Sequence, residues 1–158
     1  MLEQRGKLKR VSQTVDRSWE PAALIKWMFQ ALPEAARFGL RFDQVAGSTM
    51  PLVTGALGAS TESFALALGI EPEAINDKLV AALTHPIAPV EVATGPCQEV
   101  VQLGDQARLG DLPIPVWTPG KDAGPYITTI VVTRDAQTGL QNMGVLSHPG
   151  ARRPARGH

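Results

Sequence analysis

The side chains best suited to chemistry are few and far apart. Cys97 is the single cysteine, and the three histidines stand at positions 85, 148 and 158. No Cys/His cluster at zinc spacing results, and one cysteine cannot close an intramolecular disulfide, which fits a reducing compartment. His85 lies beside Pro86 at the expected end of a helix, where an imidazole is more often a partner of the helix dipole than a ligand. The run Gly55-Ala-Leu-Gly58-Ala-Ser60 sits between an apolar strand and a helix, and such a turn could bind a phosphate. It lacks the Gly-Lys-Ser/Thr of a P-loop and the G-x-G-x-x-G spacing, and a capped βα turn calls for the same residues. The capped turn is the stronger reading.

The elements that would position these residues begin with a half-exposed strand over 8–15. A helix follows, with Ser18 as N-cap, Glu20 and Pro21 in its first turn and Pro33 as its stop. Leu24, Trp27, Met28 and Ala31 then share one face, and Trp27 reads as core. Residues 39–45 and 51–54 read as short strands, and a helix over 61–68 ends at Gly69. A second helix starts near Pro72 with an apolar stripe of Ile75, Leu79, Ala82 and Leu83. From 86 to 125 the texture becomes proline-rich around one expected strand, Gln98-Glu-Val-Val-Gln-Leu103, as in a linker entering a second domain. Residues 126–134 are rich in β-branched residues and form the strongest strand. Asp135-Ala-Gln-Thr-Gly139 reverses the chain into a strand over 140–146. Apolar residues at 127, 130, 131 and 132 suggest burial on more than one face.

Three stretches together carry a family resemblance: Gly95-Pro-Cys-Gln-Glu-Val-Val101, then Leu112-Pro-Ile-Pro-Val-Trp-Thr-Pro-Gly120, then Gly124-Pro-Tyr-Ile-Thr-Thr-Ile-Val-Val-Thr-Arg134 with Thr138-Gly-Leu-Gln-Asn-Met-Gly-Val145. With Gly6-Lys-Leu-Lys-Arg-Val11 they resemble the UbiD-like decarboxylases, the prenylated-FMN-dependent carboxy-lyases, over about residues 1–145. The resemblance implies an α/β (α+β) fold: a small mixed N-terminal domain over 1–90, then the first strands of an FMN-binding split β-barrel over 91–146. It implies non-oxidative loss of CO2 from aromatic or α,β-unsaturated carboxylic acids, with the hard chemistry on prenylated FMN. Asn142 matches the family's asparagine ligand to a divalent metal, usually Mn2+, that bridges to the cofactor phosphate. An amide carbonyl suits such a hard cation. Gly144 and Val145 would present backbone to the cofactor, Gly144 without a Cβ in the way. The alternative for Asn142 is a solvated residue on the exposed face of a hairpin.

After Val145 the match breaks. Where the family continues toward an arginine that handles the substrate carboxylate, this chain has Leu146 and Ser147, and Ser147 carries no charge to pair a carboxylate. The family's two glutamates and its remaining metal ligands have no counterpart here, so no catalytic residue is assigned. Residues 147–158 lack apolar periodicity and are expected to be a disordered basic tail, as a frame change or fragment boundary would produce. The charge pattern agrees: the whole chain carries 15 basic and 15 acidic groups, but residues 1–147 hold 12 basic against 15 acidic, and Arg152, Arg153 and Arg156 supply the balance. A body of net −3 offers no broad footprint for nucleic acid. With 44% hydrophobic residues, no 18-residue apolar run and no signal-peptide core, the chain reads as soluble, cytoplasmic and without a membrane span. The sequence therefore predicts the N-terminal part of a carboxy-lyase, inactive alone. The alternative is a non-catalytic module that pairs with a full-length relative, since family members homo-oligomerise through a part without counterpart here.

Overall fold

In a computed structural model, residues 1–149 are described. Strand β1 (Leu8–Val15) is followed by helix α1 (Glu20–Ala31), strands β2 (Gly39–Val45) and β3 (Leu52–Thr54), helices α2 (Thr61–Leu68) and α3 (Ile75–Thr84), and strands β4 (Tyr126–Arg134) and β5 (Gln141–Pro149). The first three strands form one sheet in the order β1-β2-β3, and β4 and β5 form a second, two-stranded sheet. Gly39 N–H donates to Lys7 O at one end of the β1/β2 pair, and Ala46 N–H donates to Val15 O at the other. β1 and β2 are therefore parallel, and α1 is the crossover such a pair requires.

Contacts divide the chain into two compact units, one of Met1–Arg10, Trp27–Arg41 and Val53–Arg108, the other of Val11–Lys26, Phe42–Leu52 and the chain from Leu109. In the first unit, Met28, Leu40, Ala59 and Ala65 are buried. Its polar tie is Lys7, whose side chain is 11% exposed: Nζ lies 2.6 Å from the Glu62 carboxylate and donates to Ala35 O. In the second unit the buried apolar residues are Val15, Ala22, Phe42 and Val45. β2 is the one strand of its sheet with a neighbour on each side, and its alternation of buried Leu40 and Phe42 follows from that place.

Gly39 opens β2 because no side chain fits there. A Cβ at this position would stand 2.8 Å from the Ala56 Cα and 3.1 Å from Leu8 Cδ1. Helix α2 starts at Ser60, whose Oγ accepts from the Ser63 N–H at 3.1 Å. A second acceptor joins it: the Glu34 carboxylate takes both the Thr61 N–H at 2.8 Å and the Thr61 hydroxyl at 2.6 Å. These bonds, the hydroxyl's first, hold the Glu34 carboxyl below its ordinary range.

Several expectations need correction. α1 buries Pro21, Ala22 and Met28, whereas Trp27 is 58% exposed and Leu24 38%. The buried face is centred about a quarter-turn from the expected one, and Trp27 falls outside it. The turn into α1 is held by Asp16 rather than Ser18: the Asp16 carboxylate accepts the Ser18 N–H at 2.8 Å, and Glu20 accepts the Asp16 N–H in return. No strand forms over 98–103; short 3-10 turns at Pro96–Gln98 and Gly104–Gln106 replace it. Val100, Val101 and Leu103 are exposed there and have no neighbouring strand to pair with. The α3 stripe is also open, with Leu79 and Leu83 exposed. β5 runs to Pro149, three residues past the expected end at 146; the rest of the expected tail, 150–158, lies outside the described residues.

Two measurements check this framework. Gly39→Ala is expected to cost about 1–3 kcal/mol by overpacking, seen as a lower urea midpoint, while Gly58→Ala, where a Cβ meets nothing within 4 Å, shifts stability by less than about 0.5 kcal/mol. A depressed carboxyl stabilises the fold fully above its unfolded value, and that contribution is lost as pH falls through the folded value. The midpoint should accordingly fall as pH drops below 4.5, the ordinary glutamate value. Glu34→Gln should flatten that slope, and an unchanged slope would refute the assignment to Glu34.

Candidate functional site

The glycine turn ahead of α2 is not a vacant anion site. Its first N–H, on Thr61, is taken by the chain's own Glu34 carboxylate, so an incoming phosphate would meet a negative charge already seated on the helix. An open cleft of about 450 Å³ lies beside it, lined by Glu34, Arg37, Gly58, Ser60 and Phe64 among others. Arg37 is also engaged: its Nε donates to Leu32 O, and its guanidinium lies 5.4 Å from the Phe29 ring centre. The capped-turn reading holds. His85 is the C-cap residue of α3, its N–H donating to Ala81 O, and its Nδ1 lies 2.9 Å from the Thr84 hydroxyl.

The other candidates lie on the β4–β5 ribbon. Asp135 sets its reversal. The carboxylate Oδ1 accepts the Thr138 N–H at 2.6 Å, the Thr138 hydroxyl at 2.8 Å and the Gln137 N–H at 3.0 Å. These bonds, the Thr138 N–H first, hold its carboxyl low. Asp135 N–H donates to Leu140 O, and Gly139 N–H donates to Asp135 O. Gly139 has φ of +72°, the left-handed geometry that favours glycine in such a reversal. The Asp-x-x-Thr-Gly pattern of an Asx-type turn is the sequence signal for this role of Asp135.

From this reversal the register runs Thr133 opposite Asn142, Val131 opposite Gly144 and Ile130 opposite Val145. Alternation along the strand then puts Asn142 and Gly144 on one face with Thr133, Val131 and Thr129, and Val145 on the other with Met143, Ile130 and Val132. The structure thus brings Asn142 and Gly144 together and separates the Val145 side chain from them. A Cβ on Gly144 would meet no atom within 4 Å. The chain's own packing does not demand glycine there, and the space above this stretch is free for an approaching group.

The face of Val145 is open, while Ile127 and Val131 on the other face are half-buried. Ile130, Val132, Met143 and Val145 are each more than half exposed, so the expected burial of this hairpin on more than one face does not occur in this chain. Nor do the described residues complete a metal centre. Among them, no group of three or more His, Cys, Asp or Glu is placed to hold an ion. Asn142 offers one neutral oxygen, whereas Mn2+ or Mg2+ bound by hard ligands takes about six. On their own these residues do not fit a bound metal.

Comparison with known proteins gives a consistent result. The N-terminal domain of the 3-octaprenyl-4-hydroxybenzoate carboxy-lyases (UbiD) matches residues 1–83, and the Rift-related domain of the same enzymes matches residues 88–146. The UbiD-class enzyme HmfF of Pelotomaculum thermopropionicum, solved with FMN, is 38% identical with a TM-score of 0.79 over 92% of this chain and 32% of its own. A vanillic acid decarboxylase of Sedimentibacter hydroxybenzoicus is 25% identical, with a TM-score of 0.78 over 96% of this chain and 33% of its own. An uncharacterized protein of Synechocystis is 32% identical over 92% of this chain. The chain spans about a third of the length of these relatives. Its mixed α+β fold, with no closed barrel among the described residues, corresponds to their N-terminal part, and the chain belongs to the UbiD family of carboxy-lyases.

Proposed function

We propose that this chain is the N-terminal, cofactor-side part of a non-oxidative decarboxylase of aromatic or α,β-unsaturated carboxylic acids. The observation that carries the reading is the pairing of Asn142 and Gly144 on one face of the β4–β5 ribbon, with open space above the glycine. Asn142 is the residue that would turn a carbonyl oxygen toward Mn2+, and Gly144 and Val145 would lend backbone to prenylated FMN. HmfF has been solved with FMN and, in an evolved dimeric form, with prFMN; both support a flavin as the cofactor of the complete enzyme. In this reading residues 1–90 are the N-terminal domain and 91–146 the start of the cofactor domain. In this reading no described side chain is assigned as a catalytic acid or base. The described residues include no helix long and apolar enough to cross a membrane, and we place the protein in the cytoplasm.

A second reading has its own observation. The exposed apolar face of Ile130, Val132, Met143 and Val145 suits an interaction module that docks on a full-length relative, because a bare apolar ribbon is an aggregation hazard.

The chain alone, supplied with prenylated FMN, Mn2+ and a panel of aromatic and unsaturated acids, is expected to release no CO2 above background. Adding the remaining two-thirds of a UbiD-class relative as a separate chain should restore CO2 release. Asn142→Ala should then lower the rate by at least the ~10-fold that losing even an outer-shell metal partner costs. Turnover by the chain alone would overturn the incompleteness, and full activity of Asn142→Ala would overturn the ligand role. The docking reading predicts a complex with a full-length relative in size-exclusion chromatography; a defined monomer in its presence would remove it.

A further inference from the structure

The segment from Leu109 to Trp117, ahead of β4, has one short 3-10 turn at Leu109–Asp111 and is otherwise irregular. Pro113 and Pro115 have no N–H, so this stretch cannot build a hydrogen-bond ladder; within it Leu112 N–H donates to Leu109 O and Ile114 N–H to Leu112 O, and its remaining ties come from outside. Most of those ties come from one residue. The half-buried Arg17, in the turn between β1 and α1, donates from Nη1 to Leu112 O at 2.7 Å and to Gly110 O at 3.2 Å. Its own carbonyl accepts the Val116 N–H at 3.1 Å. Arg17 thus holds both ends of the proline-rich run. Ser48 adds one bond between, its hydroxyl donating to Asp111 O.

The chain of bonds continues into the hairpin. Trp117, next to Val116, donates its indole N–H to Tyr126 O at 3.1 Å. Tyr126 opens β4; the bonded positions alternate from Asp135, whose N–H bonds Leu140 O across the ribbon, so the Tyr126 carbonyl points away from β5 and the indole supplies it with a donor. We propose that Arg17 is a positioning residue: through the Leu109–Trp117 segment it fixes the start of β4, and with it the strand pair that carries Asn142. Its bearing on decarboxylation rests on the reading of Asn142 given above, whereas the positioning itself does not.

Trp117 reports on the arrangement once Trp19 and Trp27, both more than half exposed, are replaced by Phe. In that background Arg17→Ala is expected to raise acrylamide quenching of Trp117. It should also speed amide exchange at Ile114, Val116 and along β4 and β5 by about tenfold or more, as loss of hydrogen bonds to a charged donor implies. Exchange in β1 and β2 should stay as it was. Arg17→Lys keeps the charge and can still donate, but lacks the planar, pre-organised guanidinium that aims both bonds from Nη1, so it should fall between. Trp117→Phe should speed β4 exchange by itself and add little on top of Arg17→Ala, because both break one chain of contacts. Unchanged quenching and exchange in Arg17→Ala would overturn the proposal, as would no effect of Trp117→Phe. Equal loosening of β1 and β2, or failure to fold, would make Arg17 a general stabiliser and overturn it as well. Neither readout involves flavin or CO2, so its failure is distinguishable from failure of the decarboxylase reading.

Discussion

The carboxylate of Asp135 fixes the reversal between β4 and β5, and with it the side of the ribbon on which Asn142 stands. Three bonds converge on one oxygen, and a slip of one residue would carry Asn142 and Gly144 to the opposite face. With Ile130, Val132, Met143 and Val145 exposed, burial of the apolar face does little to enforce the register. In a finished sheet the burial of one face would do that work; here the loop does it. A mixed face with Asn142, Gly144, Thr133, Thr129, Val131 and Leu146 is thereby separated from the apolar face of Ile130, Val132, Met143 and Val145. In a closed barrel such alternation sends one set of side chains to the interior and the other outward.

The two sheets are held by different physics. β2 lies between two neighbours, buries Leu40, Phe42 and Val45, and begins at a glycine for which the Ala56 backbone leaves no alternative. Packing specifies that sheet. β4 and β5 bury little, and their position depends on directional contacts: the Asp135 loop, the Trp117 indole and the Arg17 guanidinium. Hydrogen bonds of this exposed kind contribute modestly to net stability but fix geometry closely. The hairpin is thus well directed and poorly covered.

The same contrast explains what could be read in the sequence. The strands over 8–15, 39–45 and 126–134 and the helix over 61–68 were legible because local periodicity and caps coincide with the tertiary structure. The orientation of α1 was not. Its apolar residues nearly encircle it, and periodicity alone could not choose between the face of Trp27 and the face of Ala22 and Met28. The 98–103 segment carries strand-forming residues, yet a strand exists only where a partner meets it, and none does. The identity of Asn142, Gly144 and Val145 as candidates came from family resemblance. The division of their side chains between two faces followed from register. Arg17 left no local signal, because its partners lie more than 90 positions away.

That distance bears on how the family could assemble its site. A segment that includes Pro113 and Pro115 cannot pin itself to a sheet, yet it must deliver β4 in one direction if Asn142 is to face a ligand. Rigidity has to be borrowed from a part of the fold that is already packed. The β1–α1 turn provides it: Val15 and Ala22 on either side are buried, and Asp16 and Glu20 lock the backbone between them. An arginine at this turn, able to fork across two carbonyls, transfers that rigidity to a segment with few donors of its own. The β1–α1 turn is then more than a connection within the first sheet; it supplies the fixed point from which β4 starts.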